Sequence, residues 1–241
     1  MKKIILLLCI SSSLFSYAQS GIINYTAQMN LQHQKEFIEE LKKDEKVTMS
    51  VKQQVIDLYK NAEPDYFELH FNESESYYFK DESLKKEEGY TMGSKAGQMP
   101  FYTNTYTNVI IEDNRIFSFI SHEPLDWKIT NEQKNIGDVA CFKATTTETL
   151  YSRQGNFYDR NIVAWFAPEY PVEFGPSNYS GLPGLVLEVE RKEFTITATK
   201  INLNPNEDRL KIKCVDKDEK ITSQKESYKK IAEMMKDRKK N

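Results

Sequence analysis

Apolar residues recur along much of this 241-residue chain at every second position. Phe67, Leu69 and Phe71 alternate with Glu68, His70 and Asn72; Phe194, Ile196 and Ala198 alternate with Thr195, Thr197 and Thr199. A two-residue period buries one face of a strand and wets the other, as in antiparallel sheets. The same reading predicts strands at 21–31, 77–79, 101–111, 116–121, 127–130, 138–150, 161–166, 185–190, 193–201 and 210–215, with 101–111 and 116–121 paired across a turn at 112–115. Two stretches break the period. Between 32 and 61, Phe37, Ile38 and Leu41, then Val51, Val55, Ile56, Leu58 and Tyr59, fall at helical spacing. These predict two helices broken around 44–48, the second capped by Ser50. The tail, 222–241, predicts an amphipathic helix with a Ser223–Glu226 capping box and a Tyr228, Ile231, Ala232, Met235 stripe. Its basic end (Lys236, Arg238, Lys239, Lys240) suits a negative helix terminus. That helix either packs on the sheet or meets acidic lipid or a partner. The fold class is therefore mainly β with helices (α+β): a curved antiparallel sheet, helices after the first strand, and a C-terminal helix.

One stretch interrupts the strands differently. Residues 164–187 read AWFAPEYPVEFGPSNYSGLPGLVL and hold four of the eight prolines and three of the nine glycines. Pro183 and Gly184 suit the second and third positions of a type II turn, with Gly184 at positive φ. A buried strand follows at once. This predicts a rigid, aromatic-lined loop, and Trp165, Tyr170, Tyr179, Leu182, Pro183, Gly184 and Leu185 are its candidate ligand or interaction residues. Residues 81–100, charged and then Gly-rich, predict a mobile loop.

Charge and targeting change the picture next. Lys2 and Lys3, a short apolar run, and Ser16 and Ala18 make residues 1–18 a secretory signal cut before Gln19. A lipid anchor at Cys9 is the alternative. Losing Lys2 and Lys3 takes the formal charge from −3 to −5, an acidic balance that speaks against general nucleic-acid binding. Residues 19–241 predict a single β-rich domain, and no later apolar run spans a bilayer. Two cysteines then remain, Cys141 and Cys214. In an exported chain they form either a disulfide or two buried thiols.

Catalytic signatures are missing: no H-E-x-x-H, C-x-x-C, G-x-S-x-G or phosphate loop occurs. His33, His70 and His122 are scattered, so no metal site or cofactor is predicted. The expectation is a non-enzymatic protein.

The order of pieces W-K-I-T-N-E-Q-K-N-I-G at 127–137, C-F-K-A-T at 141–145, A-W-F-A-P-E-Y-P-V at 164–172, G-P at 175–176 and G-L-P-G-L-V-L at 181–187 resembles the GLPGLI family, small exported proteins found mainly in Bacteroidetes. Val186 stands where the family name has isoleucine, and Tyr170 where an aliphatic residue is expected. The resemblance implies an envelope protein, with genes often near TonB-dependent receptors, and supplies no catalytic residues. The element order is also similar to the half-barrel of periplasmic lipoprotein carriers, an analogy of fold alone. Two functions are therefore expected. The first is a protein of the periplasm or outer membrane, or secreted, that binds a lipid, acyl chain or hydrophobic peptide in an open β-barrel groove. The alternative is an accessory module for a TonB-dependent outer-membrane receptor.

Overall fold

A computed structural model describes residues 20–81, 92–152, 155–216 and 218–238, with 236–238 as backbone alone. The signal segment at 1–18 lies outside these residues, as do 82–91 of the 81–100 loop and the final three positions. In chain order the elements are β1 (Gly21–Met29), α1 (Leu31–Lys43), α2 (Met49–Lys60), β2 (Asp65–Phe71), β3 (Glu75–Lys80), β4 (Phe101–Asn104), β5 (Val109–Asn114), β6 (Ser118–His122), β7 (Lys128–Ile136), β8 (Val139–Tyr151), β9 (Phe157–Ala167), β10 (Leu185–Glu190), β11 (Phe194–Leu203), β12 (Ile221–Ser223) and α3 (Gln224–Arg238). The strands join one mixed sheet of twelve in the order β12-β6-β5-β4-β3-β2-β1-β11-β10-β9-β8-β7. Every pairing is antiparallel except β12 with β6. The sheet does not close on itself: β12 and β7 are its ends.

Register decides which residues share a face, because directly opposed residues point the same way. Phe142, Phe166 and Val186 lie in one row; Ala164, Val189, Ile196 and Ala27 in the next. Tyr25 with Phe67, and Tyr78 with Phe101, continue that face. Tyr25, Phe67 and Tyr78 are at most 3% exposed, and Tyr78 stacks on Phe67 at 5.1 Å. The sheet curls around this inner face, and α3 bridges its ends. Tyr228 of α3 meets Tyr151 and Phe157 of the β8–β9 hairpin at 6.0 and 6.1 Å, while α3 also packs on β6 and β12. Burial, then the charges of Glu148 and Glu112, push the Tyr228 hydroxyl up to about 12.

The two helices after β1 pack chiefly on each other. Asn30 ties the start of α1 to the β10–β11 turn: its side-chain amide donates to the Arg191 carbonyl at 2.6 Å, and its backbone N–H to Glu193 at 3.0 Å. Ile38, Ile56 and Tyr59 form a small separate core with Phe37 stacked on Tyr59 at 3.9 Å.

Several expectations need correction. The strand at 101–111 is two strands, because the Asn104 side chain accepts from the Thr107 N–H at 3.0 Å and turns the chain. α2 starts at Met49, after Thr48 in extended conformation, so Ser50 lies inside the first turn and caps nothing. His70, expected on a wet face, is 2% exposed. Residues 210–215 form no strand; they cross the outer face of β2–β5 as a strap. There the Lys211 N–H donates to His70 Nδ1 at 2.9 Å and Lys211 sits over the Phe79 ring at 5.4 Å. The Ser223 hydroxyl does cap α3, accepting from the Glu226 N–H at 3.2 Å.

No disulfide joins Cys141 and Cys214: both are free, the first buried and the second exposed. Cys141 lies in β8 and Cys214 beside β3, its thiol donating to Glu75 Oε1 at 3.4 Å. Five strands separate β3 from β8, roughly 29 Å along the sheet at about 4.8 Å per strand. A bridge needs Cα atoms within about 7 Å.

Candidate functional site

Between β9 and β10 the chain leaves the sheet for the Pro- and Gly-rich loop. Backbone hydrogen bonds hold this loop as a strand would be held. The Leu185 N–H donates to the Tyr170 carbonyl and the Val186 N–H to Phe174, both at 2.9 Å, and the Gly181 N–H donates to Glu173 at 2.9 Å. Two glycines let it pack this closely. A Cβ on Gly175 would stand 2.0 Å from the Tyr179 carbonyl oxygen, and one on Gly184 2.4 Å from that of Ala167.

The expected type II turn is not present. The Gly184 N–H instead reaches the Leu182 carbonyl at 2.7 Å, a three-residue turn around Pro183. Gly184 does have the expected positive φ, at +156°, and Gly181 is positive as well at +84°. Gly184 is required because β9 backbone passes against it.

The loop's side chains fill the curl. Tyr179 and Leu182, each 1% exposed, pack on Ala144, Ile162, Ala164, Phe166, Val186 and Val189. The Trp127 indole N–H donates to the Ser180 carbonyl at 2.9 Å and closes this cluster. Phe174 meets Phe71 at 5.6 Å, and Tyr25 reaches across to donate to the Val186 carbonyl at 2.6 Å. Burial of Leu182 alone stabilises by about 1.5–3 kcal/mol. Tyr179 is therefore not an exposed contact residue, contrary to expectation. Leu182, Gly184 and Leu185 are buried, Tyr170 is half-buried, and Pro183 is exposed. Around Pro183 the exposed rim is Pro168, Glu169, Pro171 and Glu173.

Tyr179 also enters a buried polar network that sequence reading missed. Its hydroxyl donates to Glu148 Oε2 at 3.4 Å and accepts from Arg191 at 3.1 Å. Asn178 donates to the other Glu148 oxygen at 3.0 Å, and Arg160 and Arg191 pair with Glu193 at 3.3 and 3.7 Å. Burial, chiefly, raises the Tyr179 pKa well above its ordinary value, so it stays neutral. Two arginines match two carboxylates, which is what buried charge requires. The sequence signal was available: Glu148 and Arg160 interrupt the strands 138–150 and 157–167.

Trp165 points to the opposite face of the sheet from Phe166, but it too is buried and packs in the main core. Its N–H donates to Glu190 Oε1 at 2.7 Å, and Lys134 sits over its ring at 4.2 Å while pairing with Glu188 and Glu190. Burial opposes the Lys134 charge, but its bonds to Glu188 and Glu190 more than offset this and hold its pKa above the usual lysine value. Nearby, burial pushes the Cys141 thiol up to about 11, so it is a poor nucleophile near neutral pH. Among the described residues no three His, Cys, Asp or Glu side chains gather into a metal site. The carboxylates in both clusters are engaged by hydrogen bonds and ion pairs.

Residues 154–188, the loop with its flanking strands, match a family described as "Protein of unknown function (Porph_ging)", a Bacteroidetes-associated domain. The GLPGLI name remains a resemblance. No curated protein sequence matches the chain. Two solved structures of PNGF-II, in space groups C2 and P21, are similar over 90% of this chain at 17% identity, with TM-scores of 0.48 and 0.47. The chain spans about a third of their length, 33% and 34%. No helix among the described residues is long and apolar enough to cross a membrane.

Proposed function

We propose that this protein is exported to the cell envelope and acts there by contact, without catalysis, as an accessory module for a TonB-dependent outer-membrane receptor. The observation that carries this reading is the loop's construction. Its backbone is bonded to β10 and its aromatic side chains are anchored in the core, while Pro168, Glu169, Pro171, Glu173 and Pro183 stay exposed along its rim. A surface held this rigidly loses little conformational entropy on binding. A groove-bound lipid or acyl chain is the weaker reading, since it would have to displace Tyr179 and Leu182 from the inner face.

The test is affinity purification of the tagged chain from the outer membrane, comparing wild type with Glu169→Lys/Glu173→Lys. Recovery of a TonB-dependent receptor with wild type, and its loss with the double variant, is expected. Equal recovery from both, or recovery from neither, would refute the reading. Cell fractionation that leaves the chain in the cytoplasm would refute the export step.

A further inference from the structure

The opposite end of the molecule carries a surface that the proposed receptor contact does not use. Phe157 is 64% and Tyr158 42% exposed at the start of β9. Phe157 is held edge-on to Tyr151 at 5.0 Å and to Tyr228 of α3 at 6.1 Å, so it is braced and cannot fold back into the core. Arg160 lies against the Tyr158 ring at 5.6 Å.

Helix geometry places cations beside these rings. At 100° per residue, Lys225 and Lys229 lie together on the flank next to Tyr228, and both are exposed. Lys236 continues the same spacing in sequence, whereas the acidic Glu226 and Glu233 fall further round. From residue 224 to the end, seven Lys and Arg face three Asp and Glu, in a chain whose formal charge is −3. Among the described side chains of this tail, Lys225 and Lys229 are exposed on the flank beside the aromatics. Aromatic rings at headgroup depth with lysines beside them are what an anionic lipid surface recognises.

We propose that the β8–β9 end of the sheet and the adjoining flank of α3 dock on an anionic bilayer surface, with Phe157 entering the interface and Lys225 and Lys229 contacting acidic headgroups. The proposal is independent of the receptor reading, because the loop rim takes no part in it.

The chain from Gln19 onward keeps the whole described fold and excludes the apolar N-terminal segment, so it suits a vesicle co-sedimentation experiment. The probes are vesicles of phosphatidylglycerol with phosphatidylethanolamine, and of phosphatidylcholine alone. Binding to the anionic vesicles is expected, with little to the neutral ones and a several-fold loss at high salt. Lys225→Glu/Lys229→Glu should weaken partitioning by about tenfold or more, and Phe157→Ser by about fivefold to tenfold. Both variants change exposed positions, so an unchanged melting temperature confirms their folding. Absence of binding to anionic vesicles at low salt, equal binding to neutral vesicles, or full binding by the charge-reversed variant would each overturn the proposal. Self-association in place of vesicle binding would do the same.

Discussion

Two irregular segments lie against this sheet, and they are held in opposite ways. The loop from Pro168 to Gly184 feeds backbone hydrogen bonds into β10 and sends Phe174, Tyr179 and Leu182 into the core. The strap at 204–216 runs over the outer face on side-chain contacts: Lys211 to His70, Lys213 to Asp113 at 3.5 Å, and Cys214 to Glu75. It leaves beneath it a shallow cleft, partly open to solvent and no larger than a water molecule needs, between Tyr77, Tyr102, Phe119 and Val215. Two irregular stretches can thus differ completely in what removing them would cost. Buried backbone bonds and apolar side chains make one of them core, while polar contacts on a wet face leave the other detachable.

The sharpest break in that contrast comes from the loop's glycines. Gly175→Ala forces a methyl into the Tyr179 carbonyl and should destabilise by about 3 kcal/mol, lowering the melting temperature by about 6–12 °C. Leu182→Ala should cost a similar ~3 kcal/mol by opening a cavity under the loop. Gly184→Ala follows at about 2–3 kcal/mol. Gly181→Ala, at positive φ but with open space around it, should cost only about 1 kcal/mol. If Gly181→Ala proved worse than Gly175→Ala in thermal melts, backbone conformation and not packing would govern the loop.

Acid should separate the segments next. Burial above all lowers the His70 pKa below its ordinary 6.5, and its Nδ1 must stay unprotonated to accept from Lys211. A depressed folded pKa means the contribution is present above 6.5 and is lost as the pH falls through the folded value. Glu75 is also held below the usual carboxylate range, first by the Tyr102 hydroxyl at 2.5 Å, and it weakens in the same direction at lower pH. Amide exchange across 210–215 should therefore speed up on acidification, relative to 170–185, once intrinsic rates are allowed for. His70→Gln should remove the part of that response nearest pH 6. Equal acceleration in both segments would mean that the strap is no weaker than the loop.

The smallest effect concerns the thiols. Cys214→Ser should shift stability by less than about 1 kcal/mol, and a maleimide should label Cys214 in the native protein but Cys141 only after unfolding. Rapid native labelling of Cys141 would show that the loop-side core opens readily.

Much of the architecture was legible in the residues themselves. Two-residue alternation at Phe67–Phe71 and Phe194–Ala198 marked strands because each strand has one buried face, a property local to a few residues. The helical breaks at 32–61 and the Ser223 cap were equally local. The hairpin at 105–108 escaped because its turn rests on an Asn104 side-chain bond inside a run of threonines. The polar network escaped because Glu148 and Arg160 come from two strands and Arg191 and Glu193 from the β10–β11 turn, and they meet only in the folded sheet.

The sequence by itself determined that strands dominate, that residues 164–187 form a rigid connection, and that basic charge gathers at the C-terminus. These follow from backbone preferences and composition, which each segment carries alone. Tertiary structure alone decided that the loop's side chains fill the curl, that Trp165 and Tyr179 face opposite sides of the sheet, and that five strands keep Cys141 from Cys214. Those outcomes depend on strand order and curvature, in which residues more than a hundred positions apart become neighbours, as Tyr25 and Val186 do.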